Sequence, residues 1–391
     1  MAAGSALYPA GPGHAAADPG PYAFPVRPET AEWARLETHD DMLRVTQLPK
    51  DLATSMSTES LVTTVLDYPL LIDVLAFNTP QFGFDVCAAR FGGFAELLRR
   101  PDAGPVLLER YAGLDVKPAD GLAAHAHAFD LWKVELLLAQ RQVLRTLSAR
   151  QLDSTLRTAY ENLTAKKAIP STYDLFGLEQ SAVLIGRGLA RRANTGWGDS
   201  VLLRDAKVRT AAEIDRAMRD AERFLADPEK PTGPREIAQP LTDHLSTIYT
   251  PKGTPVTVWA LDEFDAPSTD LLNRQTRAAY PLATFVRNAS RTYNCHAFAW
   301  YSTSPFGNYW MNDPGDNSYW LDGSYIQWFS GGPPYPANLR WSWQGDDHSG
   351  IGDDTVGAVV VSKWGNLPQM RHPWAYCPYK GSLIYKYLRN V

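Results

Sequence analysis

The sequence predicts an α+β protein, with a helical N-terminal domain followed by a smaller domain built on an antiparallel sheet. Three observations carry that expectation. Across residues 29–226 apolar side chains recur at spacings near three and four, the helical period. After residue 240 the character changes to runs rich in Val, Thr and Trp, which favour strands. Nine of the twelve tryptophans lie in that second region, so the aromatic content belongs to it. Between the two, "DPEKPTGPREIAQP" (227–240) carries four prolines and reads as a linker. At 391 residues the chain exceeds one ordinary domain of ~100–200 residues, which fits a helical domain at 29–226 and an α+β domain at 241–391.

Taken in order, residues 1–28 are rich in Ala, Gly and Pro. They lack a basic segment followed by an apolar one, so they predict a disordered leader rather than a secretory signal. "STESLVTTVLDYPLLIDVLAF" opens with Ser57 and Thr58, an N-cap region, and Pro69 predicts a break near Tyr68. "FGGFAELLRRPDAGPVLLERYAGL" predicts a pair of helices punctuated by Gly92, Gly93, Pro101 and Pro105. The strongest helical signal runs from Ala126 to Ala168, where Leu131, Val134, Leu138, Val143 and Leu147 form an apolar stripe. "AAEIDRAMRDAERFLAD" is a further amphipathic helix. Beyond the linker, "GTPVTVWAL" and "VGAVVVSKW" predict strands. "HSGI", from His348, starts another that pairs back on "VGAVVVS" as a hairpin.

Composition excludes several functions. A net charge of −5 with no basic stripe argues against a nucleic-acid partner. No apolar run approaches the ~20 residues that span a bilayer. The compartment stays open. Three cysteines make no disulfide framework, and Cys295 with Cys377 is the natural pair to consider.

Chemistry concentrates in "RTYNCHAFAWYS" (291–302). The commonest role for a lone Cys in an apolar run is a small buried hydrophobe. A metal site is weaker, because no Cys-x-x-Cys or paired-His spacing accompanies Cys295 and His296. Neither a metal nor any other cofactor is expected. The local pattern favours a nucleophile. "AFAWY" reads as the first turns of a helix, whose positive N-terminal end favours a thiolate and whose free N–H groups can hold an oxyanion. Asn294 stands ready to cap that helix or to donate from its side chain. His296 either shapes the cleft or makes a half-buried polar contact. A base must come from elsewhere in the sequence, and His348 is the best candidate. Ser362 and Asn366, near the end of the following strand, are the candidates for orienting its ring. Lys363 lies between them, but an ammonium cannot accept from an imidazole N–H. "MNDPGDNSYWLDGSY" fails the calcium-loop pattern and reads as a turn-rich loop with aromatic walls lining the cleft. The helical domain offers no catalytic constellation.

"NCHAFAWY", followed about fifty residues later by "HSGI" and a β-strand, resembles papain-like cysteine hydrolases of the NlpC/P60 and CHAP type. More narrowly, "YNCHAFAWYSTS", "YWMNDP", "YWLDGSY", "HSGI", "VVSKWG" and "RHPWAYCPY" are similar to a group of bacterial proteins of unknown function that carry a like helical region ahead of this block. The broader resemblance implies a papain-like domain with Cys295 as nucleophile and His348 as base. Where those families place an acidic or amide residue, this chain has Ser362 or Lys363. Papain's oxyanion-hole glutamine has its nearest match in Asn294. The implied activity is amide hydrolysis through a Cys295 thioester, as a peptidase or amidase, with a peptide or peptidoglycan-like substrate. The same dyad also serves a transamidase or acyltransferase. Two further alternatives are a binding module that meets a protein partner through the helical domain, and a Cys295–Cys377 disulfide.

Overall fold

The computed structural model describes residues 18–117, 122–193, 204–208, 210–228, 244–301, 309–312, 314–329, 333–345, 347–380 and 383–391. The fold is α+β, with a helical N-terminal region and a mainly antiparallel C-terminal sheet region. The helices are α1 (His39–Val45), α2 (Lys50–Ser55), α3 (Thr58–Leu66), α4 (Pro80–Arg90), α5 (Gly92–Leu97), α6 (Ala103–Ala112), α7 (Leu122–Leu138), α8 (Arg141–Leu144), α9 (Ala149–Lys167), α10 (Leu175–Ala193) and α11 (Ala211–Ala226). Local chemistry sets several of their ends. Ser57 caps α3, accepting from the Ser60 N–H, and the helix stops at Leu66, ahead of Pro69. Thr79 caps α4, with Pro80 in the first turn, where no N–H is needed. Ser148 and Gln151 form a reciprocal capping box on α9.

The leader expectation needs correcting. Residues 1–17 lie outside the described residues, but 18–28 are built into the fold. Asp18 accepts from the Ser57 N–H at 3.1 Å and the Ser60 hydroxyl at 2.7 Å, and Phe24 enters the core. Of the expected linker, 229–240 lies outside the described residues.

Among the described residues the strands are β1 (Leu245–Tyr249), β2 (Pro255–Trp259), β3 (Thr284–Arg287), β4 (Tyr325–Gln327), β5 (Arg340–Trp343), β6 (His348–Gly352), β7 (Val359–Lys363), β8 (Gln369–Pro373) and β9 (Ile384–Arg389). β1 and β2 form a separate hairpin, and the other seven make an antiparallel sheet ordered β3-β8-β7-β6-β5-β9-β4. Helix α12 (Ala266–Ala279) and the short α13 (Ser318–Leu321) lie in the connections.

Register decides what each sheet face carries. Trp343 pairs with His348, Ser342 with Ser349 and Ile351 with Val361. Side chains alternate, so His348, Gly350, Val360, Ser362 and Trp364 share one face, while Ser349, Ile351, Val361 and Lys363 share the other. The first face packs into a core continuous with the N-terminal helices, through Trp341, Trp343, Val360, Trp364 and Met370. The second carries a separate core of Tyr293, Phe298, Trp300, Ile351 and Tyr387.

The two regions therefore share a core rather than owning one each. Polar ties cross the junction as well. Trp33 Nε1 donates to the Ala279 carbonyl at 2.8 Å, and the Asn366 N–H donates to the Leu75 carbonyl at 2.9 Å. Asp73 joins His39 at 2.9 Å to Tyr280 at 2.6 Å.

Candidate active site around Cys295

Cys295 opens a helical turn that continues through Ala297–Tyr301. The segment lies against the Ser349 face of the sheet, where Ser349 Oγ accepts from Trp300 Nε1 at 2.9 Å and meets His296 Nδ1 at 3.0 Å. Asn294 caps the turn. Its Oδ1 accepts from the Ala297 and Met311 N–H groups, each at 3.2 Å. Its Nδ2 donates to Asn78 Oδ1 at 2.9 Å and to the Met311 carbonyl. Both amide hydrogens are thus engaged, so Asn294 holds the helix start and has no donor left for an oxyanion.

His296 is the best-connected polar side chain of the site. Besides Ser349, its Nδ1 faces Asp316 Oδ2 at 3.1 Å, and its Nε2 faces Asp347 Oδ1 at 3.3 Å and Asn78 Nδ2 at 3.0 Å. Asn78 Oδ1 already accepts from Asn294, which fixes the amide so that Nδ2 donates to Asp347 Oδ2 at 2.6 Å. Burial opposes a charge on the ring. The Cys295 sulfur and the Asp316 and Asp347 carboxylates outweigh it and hold the imidazole well above its ordinary range, as imidazolium. Burial likewise pushes Asp347 up, and His296 pulls it below the usual carboxylate value.

The His296, Asp316 and Asp347 donor atoms lie within 4.8 Å of one another, a spacing that admits a metal ion. The chemistry of the set argues against one. The carboxylates approach opposite ring nitrogens, and a single cation can take only one nitrogen lone pair. The arrangement fits an imidazolium between two carboxylates, with Asn78 Nδ2 and His296 Nε2 both donating to Asp347 rather than to each other.

A second cation stands near the thiol. Lys363 is fully buried and donates to the Ser290 carbonyl at 2.8 Å and to the Gly365 and Leu367 carbonyls at 2.6 Å. Burial pulls its ammonium down to about 7, while the Glu263 and Cys295 charges pull it up. Cys295 therefore lies within charge–charge range of both His296 and Lys363.

His348 corrects the expected dyad. It lies on the opposite sheet face, stacked on Tyr379 with ring centroids 3.4 Å apart and tilted against Trp343. Neither ring nitrogen has a hydrogen-bond partner among the described residues. Burial drives its imidazole well below its ordinary value, and the positive charges of His372 and His296 add to that. Ser362 does orient an imidazole, but that of His372. Trp364 Nε1 donates to Ser362 Oγ at 2.9 Å, and Ser362 Oγ lies 2.7 Å from His372 Nε2. The Asn366 side-chain carbonyl is buried without a partner among the described residues, in the turn that docks on Leu75. Cys295 is in no disulfide, and the suggested pairing with Cys377 is absent.

Cys295 is 2% exposed. A cleft of about 330 Å³ is lined by the two carboxylates that flank His296, Asp316 and Asp347, between walls of Phe82, Trp320, Trp343 and Gln344, and neither Cys295 nor His296 lines it. The loop holding Asp316 and Trp320 is the stretch read as aromatic-walled. Asn78, Ser349, Asp316 and Asp347 carry no signature in sequence. Only the alternation of β6 points to Ser349, as the neighbour that faces away from His348.

Comparison of the chain with protein-family models, curated proteins and solved structures finds no match.

Proposed function

We propose that the chain is a cysteine-dependent amide hydrolase whose nucleophile is Cys295 and whose acid is His296, not His348. The observation that supports it is the buried His296 ring, held between Asp316 and Asp347 and next in the chain to a thiol at a helix start. A neighbouring imidazolium favours the thiolate. In this reading the thiolate attacks the amide carbonyl, and first-turn backbone N–H groups receive the oxyanion. The imidazolium passes its proton to the leaving amine, and water then releases the acyl group from sulfur. Asp316 keeps the ring in place. Cell-wall peptides are the first substrate class to screen, by analogy of family alone.

The low exposure of Cys295 means that the reading requires a form in which the thiol meets solvent. Native-state alkylation tests this directly, because Cys87 and Cys377 are also buried and serve as internal controls. With iodoacetamide at pH 6, read by peptide mass spectrometry, Cys295 should label at least about tenfold faster than either control. Equal, slow labelling of all three, released only by denaturant, would sink the proposal and leave Cys295 as core filler.

A further inference from the structure

On the Ser349 face of the sheet, beyond Trp320 of the Asp347 cleft, which packs on Trp300 with ring centroids 5.1 Å apart, the structure holds a second cavity of about 360 Å³. Its walls include Trp300, Tyr319 and Tyr325 from the Cys295 helix, the 309–325 stretch and β4, and Tyr249 from β1. Arg340 of β5 and Arg389 of β9 also line it, and among the described residues no carboxylate does. Register explains why the two arginines meet. Arg340 pairs with Tyr387, so Arg340, Tyr387 and Arg389 project from the same face.

Two polar atoms of this cavity are buried without a hydrogen-bond partner among the described residues: the Tyr319 hydroxyl, on a side chain 0% exposed, and Arg340 Nε. Neither arginine has a carboxylate partner among the described residues. Arg340 donates from Nη1 to the Asn338 carbonyl at 2.7 Å, and its guanidinium lies 5.7 Å from the Tyr325 ring centre. Removing a guanidinium from water with no counter-charge is unfavourable, and burial pulls Arg340 below its ordinary value, with the Arg389 charge adding to that and a hydrogen bond to the Tyr325 side chain opposing it, while Nε stays without a partner among the described residues. An anion bound here would supply both the missing charge and the missing acceptor. Aromatic walls on the same cavity suit a planar ring.

We propose that this cavity binds a small aromatic oxyanion, an aryl carboxylate or aryl phosphate, with its charged end between Arg340 and Arg389 and its ring against Trp300 and Tyr325. The site does not depend on the role of Cys295, and it stands whether or not that residue is a nucleophile.

Titration calorimetry of the full chain with benzoate, phenyl phosphate, benzyl alcohol and benzylamine tests it. At least one of the two anions should bind saturably, and the neutral and cationic probes should not. Which anion binds more tightly separates a carboxylate site from a phosphate site. Arg340→Gln and Arg389→Gln should each weaken the preferred anion about tenfold or more, the effect of losing a charge-assisted hydrogen bond. Arg389 is exposed, so its variant reports even where the Arg340 variant unfolds, and a thermal melt separates those cases. Absence of saturable anion binding, equal binding of benzyl alcohol, or an unchanged affinity in Arg389→Gln would overturn the proposal.

Discussion

Two histidines on opposite sides of the sheet have opposite protonation, and the difference follows from their neighbours. His296 has a carboxylate at each ring nitrogen and stays charged. His348 has aromatic rings on its faces, no hydrogen-bond partner at either nitrogen, and stays neutral. Replacing His348 by Phe keeps the stack on Tyr379 and removes two buried unsatisfied atoms. His348→Phe should stabilise the fold by about 1–2 kcal/mol in urea denaturation. A loss of more than about 1 kcal/mol would show that the ring nitrogens do have partners. The histidines also set the pH dependence. Burial drops His372 to about 4 in the folded chain, against a usual unfolded value of ~6.5. The unfolded chain then binds the extra proton, so stability falls as pH drops from about 6.5 towards 4, by roughly 3 kcal/mol for His372 alone. His296 acts in the opposite sense. The folded chain holds its proton above pH 6.5, so that contribution is complete below 6.5 and is lost as pH rises. The two histidine contributions alone therefore peak near neutrality, while Lys363, pulled down to about 7, adds stability as pH rises towards the usual ~10.4, so the alkaline decline is the part that belongs to His296. In His296→Gln the decline on the alkaline side should flatten.

At the scale of elements, the strand from His348 was legible in the sequence, and so was its hairpin with 359–363. The face that His348 occupies was not. A half-buried strand reveals its faces through alternation of apolar and polar residues, but β6 is buried on both sides and loses that signal. One register step is enough to send the expected base away from Cys295 and bring Ser349 to the helix. Caps were better marked. Ser57, Pro69 and Asn294 act as their chemistry dictates, because capping is local. The partners of His296 come from 78, 316 and 347, and no local rule brings such distant positions together. The crowded His348 face gives a test of the register itself. A Cβ on Gly350 would lie 2.6 Å from Val360 Cγ1 and 3.2 Å from Ser362 Cβ. Gly350→Ala should cost about 1–3 kcal/mol in stability. A neutral result would place residue 350 on an open face and undo the assignment.

For the whole molecule, the change in composition near 227–240 marks a change of secondary structure but not of core. Sequence shows where helices give way to strands. It does not show that strand residues such as Trp343 and Trp364 pack with the helices, because packing between distant segments leaves no periodic trace. Gly365 sits at the junction with φ +51°, and a Cβ there would lie 2.5 Å from the Ala76 backbone. Gly365→Ala should therefore destabilise the whole chain by about 2–4 kcal/mol, through strain and a broken junction. Thermal unfolding followed by far-ultraviolet circular dichroism, which reports the helices, should coincide with tryptophan fluorescence, which reports mainly the C-terminal region. Two separated transitions would mean that the regions fold independently.

The central claim is that Cys295 answers to His296 and not to His348. The most direct measurement is the native-state alkylation rate of Cys295 in His296→Gln and His348→Phe, with urea melts confirming that both variants are folded. Labelling should slow about tenfold or more in His296→Gln and stay within about twofold in His348→Phe. Labelling abolished in His348→Phe and retained in His296→Gln would contradict the claim, and would restore the dyad that the sequence alone suggests.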